Sequence, residues 1–149
     1  MYVDKSKSYM EKTLDLIGLK YAYNFGKGKQ YVGGDKTSLG QNFTETYERL
    51  FDPIKKEKIN LLELGVFYGK SLAMWADYFV NGKIYGIDIS LKRFSEEEQV
   101  LKKYGAFTNN NITVIEQDIT NDSFIDIIKN LPNFDIIIDD ALHRSDVQY

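Results

Sequence analysis

Four short runs of branched aliphatic residues, separated by polar stretches of helical length, constrain what this chain can fold into. They are Asn60–Val66 (NLLELGV), Lys83–Ile89 (KIYGIDI), Asn111–Gln117 (NITVIEQ) and Phe134–Asp140 (FDIIIDD). None alternates strictly between apolar and polar, which is the pattern of parallel strands covered on both faces. Helices are predicted at Lys70–Val80, Ser95–Tyr104 and Asp122–Leu131, with Asn121 as N-cap of the last and Pro132 as its stop. Strand and helix alternating at this spacing imply right-handed βαβ crossovers and an open α/β parallel sheet. Two more helices, Ser6–Leu19 and Thr44–Phe51, precede the sheet, the second ended by Asp52-Pro53. Between them, NFGKGKQYVGGDKTSLG reads either as a flexible connection or as a lid over a ligand.

Composition removes whole classes of chemistry. With no cysteine there are no disulfides, iron–sulfur clusters, thiolate zinc sites or cysteine nucleophiles. His143 is the only histidine, so a site needing two imidazoles is excluded. A net charge of −3 gives no electrostatic ground for nucleic acid as a partner. The longest apolar runs, such as Ile136–Ile138, are far too short for a membrane-spanning helix. The opening MYVDKSKSYMEK has no apolar signal core, so the expected location is the cytoplasm. The fourth strand ends nine residues from Tyr149 and would form a bare apolar edge. The expectation is that a partner, such as a second copy in a homo-oligomer, or further chain covers that edge.

The turn Glu63-Leu64-Gly65-Val66-Phe67-Tyr68-Gly69-Lys70-Ser71 joins the first strand to a helix, where free amide N–H groups and close backbone approach suit a ligand. Three ligand classes use such turns. A dinucleotide fingerprint G-x-G-x-x-G fails here, because Phe67 and Lys70 stand where the second and third glycines belong. A P-loop G-x-x-x-x-G-K-[ST] is one residue short between Gly65 and Gly69, although Lys70-Ser71 follows and Ile136–Asp139 resembles a magnesium-holding strand. The third class is S-adenosylmethionine, whose class I methyltransferases place an acid two residues before the first glycine, as Glu63 stands before Gly65. Asp88 follows Gly65 by 23 residues, close to the spacing of about 20 for a ribose-binding acid. Asp118 after the third strand would then face the adenine amino group. Nucleotide binding of the P-loop kind stays open beside this reading.

Asp139 and Asp140 are adjacent carboxylates at the end of an apolar strand, and they repel unless a cation or donor compensates. Mg²⁺ suits that need, taking carboxylate, water and substrate oxygens. Three residues beyond Asp140, His143 carries the side chain suited to remove a hydroxyl proton near neutral pH. The alternative is that His143 is a surface residue capping a following helix.

Taken together, GGDKTS, FTETYERLFDP, NLLELGVFYGKSLAMWADYF, KIYGIDI and FDIIIDDALH resemble the metal-dependent sugar O-methyltransferases of macrolide and tetracenomycin biosynthesis. Related sequences act in surface-polysaccharide biosynthesis. The resemblance runs from about Tyr31 to His143. It implies a Rossmann-like class I methyltransferase sheet with its first four strands in the order 3-2-1-4, preceded by N-terminal helices. It divides the chain into a helical segment with the glycine-rich loop (1–58) and the front of an S-adenosylmethionine-binding domain (59–149). It implies cofactor contacts at Glu63, Gly65, Gly69, Ser71, Asp88, Ile89, Gln117, Asp118 and Asp139. It further implies a magnesium ligand at Asp140, a general base at His143 and a small-molecule or glycan hydroxyl as acceptor. The Gly33–Lys36 box is expected near the cofactor. Departures are Gln41 or Asn42 where the family often has histidine, and Phe67-Tyr68 where further glycines are usual. Family members have seven strands and another metal-binding acid after the fifth, so the resemblance also implies a sheet continuing past these residues. A binding module of this fold without chemistry is the competing expectation.

Overall fold

The computed structural model describes residues 13–27 and 33–141. In chain order the elements are α1 (Thr13–Tyr21), α2 (Phe43–Phe51), a 3₁₀ turn (Asp52–Ile54), β1 (Asn60–Leu64), α3 (Lys70–Tyr78) and β2 (Lys83–Asp88). They continue with α4 (Lys92–Lys103), β3 (Ile112–Glu116), α5 (Ser123–Lys129) and β4 (Ile136–Asp139). The strands form one four-stranded sheet in the order β3-β2-β1-β4, and every pair is parallel. The predicted sheet order therefore holds; the strands are shorter than predicted, whereas α4 begins at Lys92, three residues before the predicted start. The chain leaves β1 toward β2 on one side and returns from β3 to β4 on the other. That reversal makes the carboxyl edge between β1 and β4 the point where open α/β sheets bind ligands.

The central strand β1 is buried on both faces, as expected, with Leu61, Leu62 and Glu63 buried in succession, whereas the edge strand β4 is covered on one face only. Leu61, Ile84, Ile136 and Ile138 share a core with Leu72, Trp75 and Ala76 of α3 and Phe94 and Leu101 of α4. On the opposite face α5 contributes no buried residue, and Ile137 of β4 is 62% exposed. Two helices cover one side and only a two-turn helix serves the other, so β4 alternates buried and exposed positions.

The amino-terminal helices share that first core. Tyr47 and Phe51 of α2 meet the Trp75 ring edge-on, at centroid distances of 5.3 and 6.0 Å. Trp75, Tyr78 and Phe79 are core residues. Asp77 accepts hydrogen bonds from Lys20 and Tyr21, tying α1 to α3. Asp15 of α1 accepts from Ser38 and Thr44 and so fixes the start of α2.

Two local expectations change. The N-cap of α5 is Asp122, not Asn121. The Asn121 carboxamide oxygen still accepts the Ser123 amide at 3.0 Å, one residue outside the cap position. The segment 33–40 is anchored and not a slack connection: Lys36 and Thr37 are buried within it, and Thr44 N–H donates to the Lys36 carbonyl at 3.0 Å. The first half of the predicted Ser6–Leu19 helix and loop residues 28–32 lie outside the described residues.

Candidate functional site

A cavity of about 430 Å³ opens over the carboxyl ends of the strands at this reversal point. Its walls come from the β1–α3 turn (Gly65–Ser71), the end of β2 (Asp88, Ile89), the segment after β3 (Gln117–Thr120), the end of β4 (Asp140, Ala141) and Gly33–Thr37 of the amino-terminal segment.

The turn after β1 is shaped by close approaches. Gly65 adopts φ +92°, and a Cβ there would lie 2.5 Å from the Asp140 carbonyl oxygen. Only glycine lets the ends of β1 and β4 close on each other. Gly69 (φ +82°) is the N-cap of α3, and a Cβ there would strike the Phe94 ring. Phe67 is a non-glycine residue at φ 54°, a costly conformation unless its surroundings impose it. They do: Asp88 Oδ2 accepts the amide N–H groups of Val66 at 2.8 Å and Phe67 at 2.9 Å.

Those two bonds discriminate between ligand classes. A P-loop turns successive amides toward a phosphate, whereas here the turn's amides hold a carboxylate of the chain itself. Lys70 does not serve the turn either. Its ammonium accepts no place in the loop but donates to Asn24 Oδ1 and sits 4.5 Å from the Tyr23 ring centroid, and burial pulls its pKa below the ordinary lysine value.

Of the five acids expected at the site, Asp88, Asp118 and Asp140 line the one cavity. Asp118 accepts from the Thr120 amide and hydroxyl, which hold its carboxyl below the usual range. Glu63 is wholly buried and does not line the cavity, but its partners Ser71 and Lys36 do. Glu63 Oε1 accepts from Ser71 Oγ at 2.7 Å and Trp75 Nε1 at 3.4 Å, and lies 3.8 Å from Lys36 Nζ. Glu63 Oε2 has no hydrogen-bond partner among the described residues, and burial pushes the carboxyl's pKa up. Gly65, Ser71, Ile89 and Gln117 all contribute to the walls, while Gly69 stands behind them as the cap of α3. Asp139 pairs in register with Leu64 and lies outside the cavity. His143 lies outside the described residues.

Lys36 belongs to the Gly33–Lys36 box expected near the cofactor and lines the cavity, but its contact with the strand-end acids had not been expected. Its ammonium donates to Asp140 Oδ2 and faces Glu63, so one buried cation bridges the acids of β1 and β4. Burial pushes its pKa down, but the two carboxylates outweigh that and hold it above the ordinary lysine value. The signal available was the G-x-D-K box, which sits far from the strands in sequence. Arg93, stacked 5.0 Å from the Phe67 ring centroid, and Thr120 also line the cavity without any motif to announce them. Among the described residues no three histidine or carboxylate side chains converge on one point. No helix among them is long and apolar enough to cross a membrane.

The chain is similar in sequence and fold to known proteins. The chain is 33% identical over 109 residues to the mycinamicin VI 2''-O-methyltransferase of Micromonospora griseorubida, covering 68% of this chain and 24% of that protein. It is 31% identical over 120 residues to a rhamnosyl-tetracenomycin-C 2'-O-methyltransferase of Streptomyces olivaceus, covering 76% of this chain and 29% of that protein. The solved structure of MycE methyltransferase, from the mycinamycin biosynthetic pathway and in complex with Mg and SAH, aligns with a TM-score of 0.51 at 30% identity. That alignment covers 76% of this chain and 28% of that one. No family model matches the chain. The chain thus spans about a quarter of the length of the curated relatives it matches. Over that shared segment, with its 3-2-1-4 parallel sheet and its glycine turn, the chain belongs to the O-methyltransferase family of the mycinamicin, demethylmacrocin and rhamnosyl-tetracenomycin enzymes.

Proposed function

We propose that this chain forms the cofactor-binding part of an S-adenosylmethionine-dependent O-methyltransferase acting on a sugar hydroxyl. The observation that carries the reading is the convergence of Asp88, Asp118 and Asp140, from three strand ends, on one cavity beside a glycine turn. The cavity's size is within the range of small-molecule sites. Because the Val66 and Phe67 amides are taken by Asp88, the turn offers a polyphosphate no free amide cradle there. In this reading Asp118 faces the adenine, Asp88 faces the ribose while holding the turn, and Gly65 lets the backbone approach the amino-acid end.

The cofactor brings an activated methyl group, so the protein's work is alignment of the acceptor and removal of its proton. The acceptor oxygen forms a bond to the methyl carbon as the carbon–sulfur bond breaks and leaves a neutral thioether. His143 takes the hydroxyl proton in the same event. Asp140 offers a rim carboxylate, 44% exposed, of the donor type that magnesium takes together with water and substrate oxygens. Magnesium held there would stabilise the developing alkoxide. The relatives' acceptors, sugars on antibiotics, set the acceptor class proposed here.

The test is calorimetry with S-adenosylhomocysteine and ATP, followed by methyl transfer from labelled S-adenosylmethionine to sugar acceptors. Binding of S-adenosylhomocysteine but not ATP is expected, and the reverse overturns the reading. With turnover in hand, His143→Ala should abolish it and leave cofactor affinity nearly unchanged. Undiminished turnover removes His143 from its role, and binding without any turnover favours the module without chemistry.

A further inference from the structure

Lys36 reaches the site from a segment remote in sequence, and it sits where a metal-binding carboxylate would receive a cation. The residue is only 6% exposed. Its ammonium donates to Asp140 Oδ2 and lies 3.8 Å from Glu63 Oε1. Burying an ammonium is tolerated only with such pairing. The pair joins Lys36 to the end of β4, while the Thr37, Gly40 and Thr44 amides close hydrogen bonds within the 33–40 segment or onto it.

We propose that Lys36 is a tethered counter-cation that competes with a divalent metal ion for Asp140, so that metal loading and anchoring of the 33–40 segment oppose each other. A divalent ion at the Asp140 carboxylate would stand beside an ammonium already on one of its oxygens, and two cations at contact distance repel in a partly buried setting. Metal entry therefore requires Lys36 to withdraw from Asp140 toward Glu63, whose second oxygen has no hydrogen-bond partner among the described residues. Lys36 acts here through Asp140 and is a positioning residue. The inference rests on the metal site proposed above.

The experiment titrates Mg²⁺ into the cofactor-free protein by calorimetry, comparing wild type with Lys36→Met and Lys36→Arg. Competition predicts that Lys36→Met binds Mg²⁺ about tenfold more tightly, an ordinary size for coupling between sites, while Lys36→Arg stays near wild type. A purely structural lysine would give the opposite sign, weaker binding in Lys36→Met. Equal affinity, weaker affinity, or no binding by either protein overturns the proposal. Should Lys36→Met fail to fold, amide hydrogen exchange on the wild type decides: Mg²⁺ should speed exchange at Thr37, Gly40 and Thr44, and slower or unchanged exchange overturns it. S-adenosylhomocysteine titrated into the same samples keeps the readings apart. Loss of that binding refutes the methyltransferase reading, whereas normal binding with unaltered Mg²⁺ affinity refutes only the competition.

Discussion

Asp88 Oδ2 accepts the amide N–H of Phe67 at 2.9 Å, so the end of β2 holds a left-handed residue in the turn that follows β1. The expected ribose-binding acid thus also fixes the turn. Asp88→Ala removes the bonds from Val66 and Phe67 and a third from the Ser90 amide and should cost roughly 2–4 kcal/mol of stability. Asp88→Asn, which keeps an acceptor, should cost less. Thermal unfolding of the pair checks both, and equal stability of Asp88→Ala and wild type would remove Asp88 from this role.

Gly65 tests how tightly β1 and β4 close. A Cβ at this position would lie 2.5 Å from the Asp140 carbonyl oxygen, on a backbone at φ +92°. Gly65→Ala is expected to destabilise the fold by about 2 kcal/mol or more, through strain and forced separation of the strand ends. Urea unfolding measures the loss. Binding of S-adenosylhomocysteine should fall with it.

The unequal faces of β4 separate two neighbouring isoleucines. Ile138 is 7% exposed and packs in the core, whereas Ile137 is 62% exposed. Ile138→Ala should therefore cost about 2–5 kcal/mol. Ile137→Thr should change stability by about 0.5 kcal/mol or less. The same change should reduce self-association of the open face in light scattering. Matching losses at the two positions would show that something covers Ile137.

Acid should loosen the contact where the amino-terminal helices meet. Burial pushes the Asp15 carboxyl up, but hydrogen bonds from Thr44 and Ser38 outweigh it and hold the group below its ordinary 3.8. A depressed carboxylate contributes stability above its unfolded value and loses it as pH falls through the folded one. Circular dichroism from about pH 5 down to about pH 2 should show this loss in wild type, and Asp15→Asn should flatten it while lowering stability at neutral pH.

The strands were legible because Ile136–Ile138 and the runs around Leu61 and Ile84 are rich in aliphatic residues without strict alternation, the mark of a parallel sheet between polar helical stretches. The turn was legible from Gly65 and Gly69, whose positive φ values meet a need that few other residues satisfy. What escaped was whatever depends on long-range packing. The exposure of Ile137 follows from which face the helices take, and no local pattern encodes that. The bridging place of Lys36 depends on a loop folding back across 104 positions to Asp140. Glu63 was expected at the ligand and is instead buried behind Ser71 and Lys36, a matter of one side chain's direction at the end of β1.

One wall of the cavity is borrowed from ahead of the sheet, through Gly33–Thr37. A chimera that grafts a relative's leading segment onto these strands would exchange the counter-charge of Asp140 along with it. Diversification of that leader could then retune the chemistry at the strand tips while leaving every β-strand untouched.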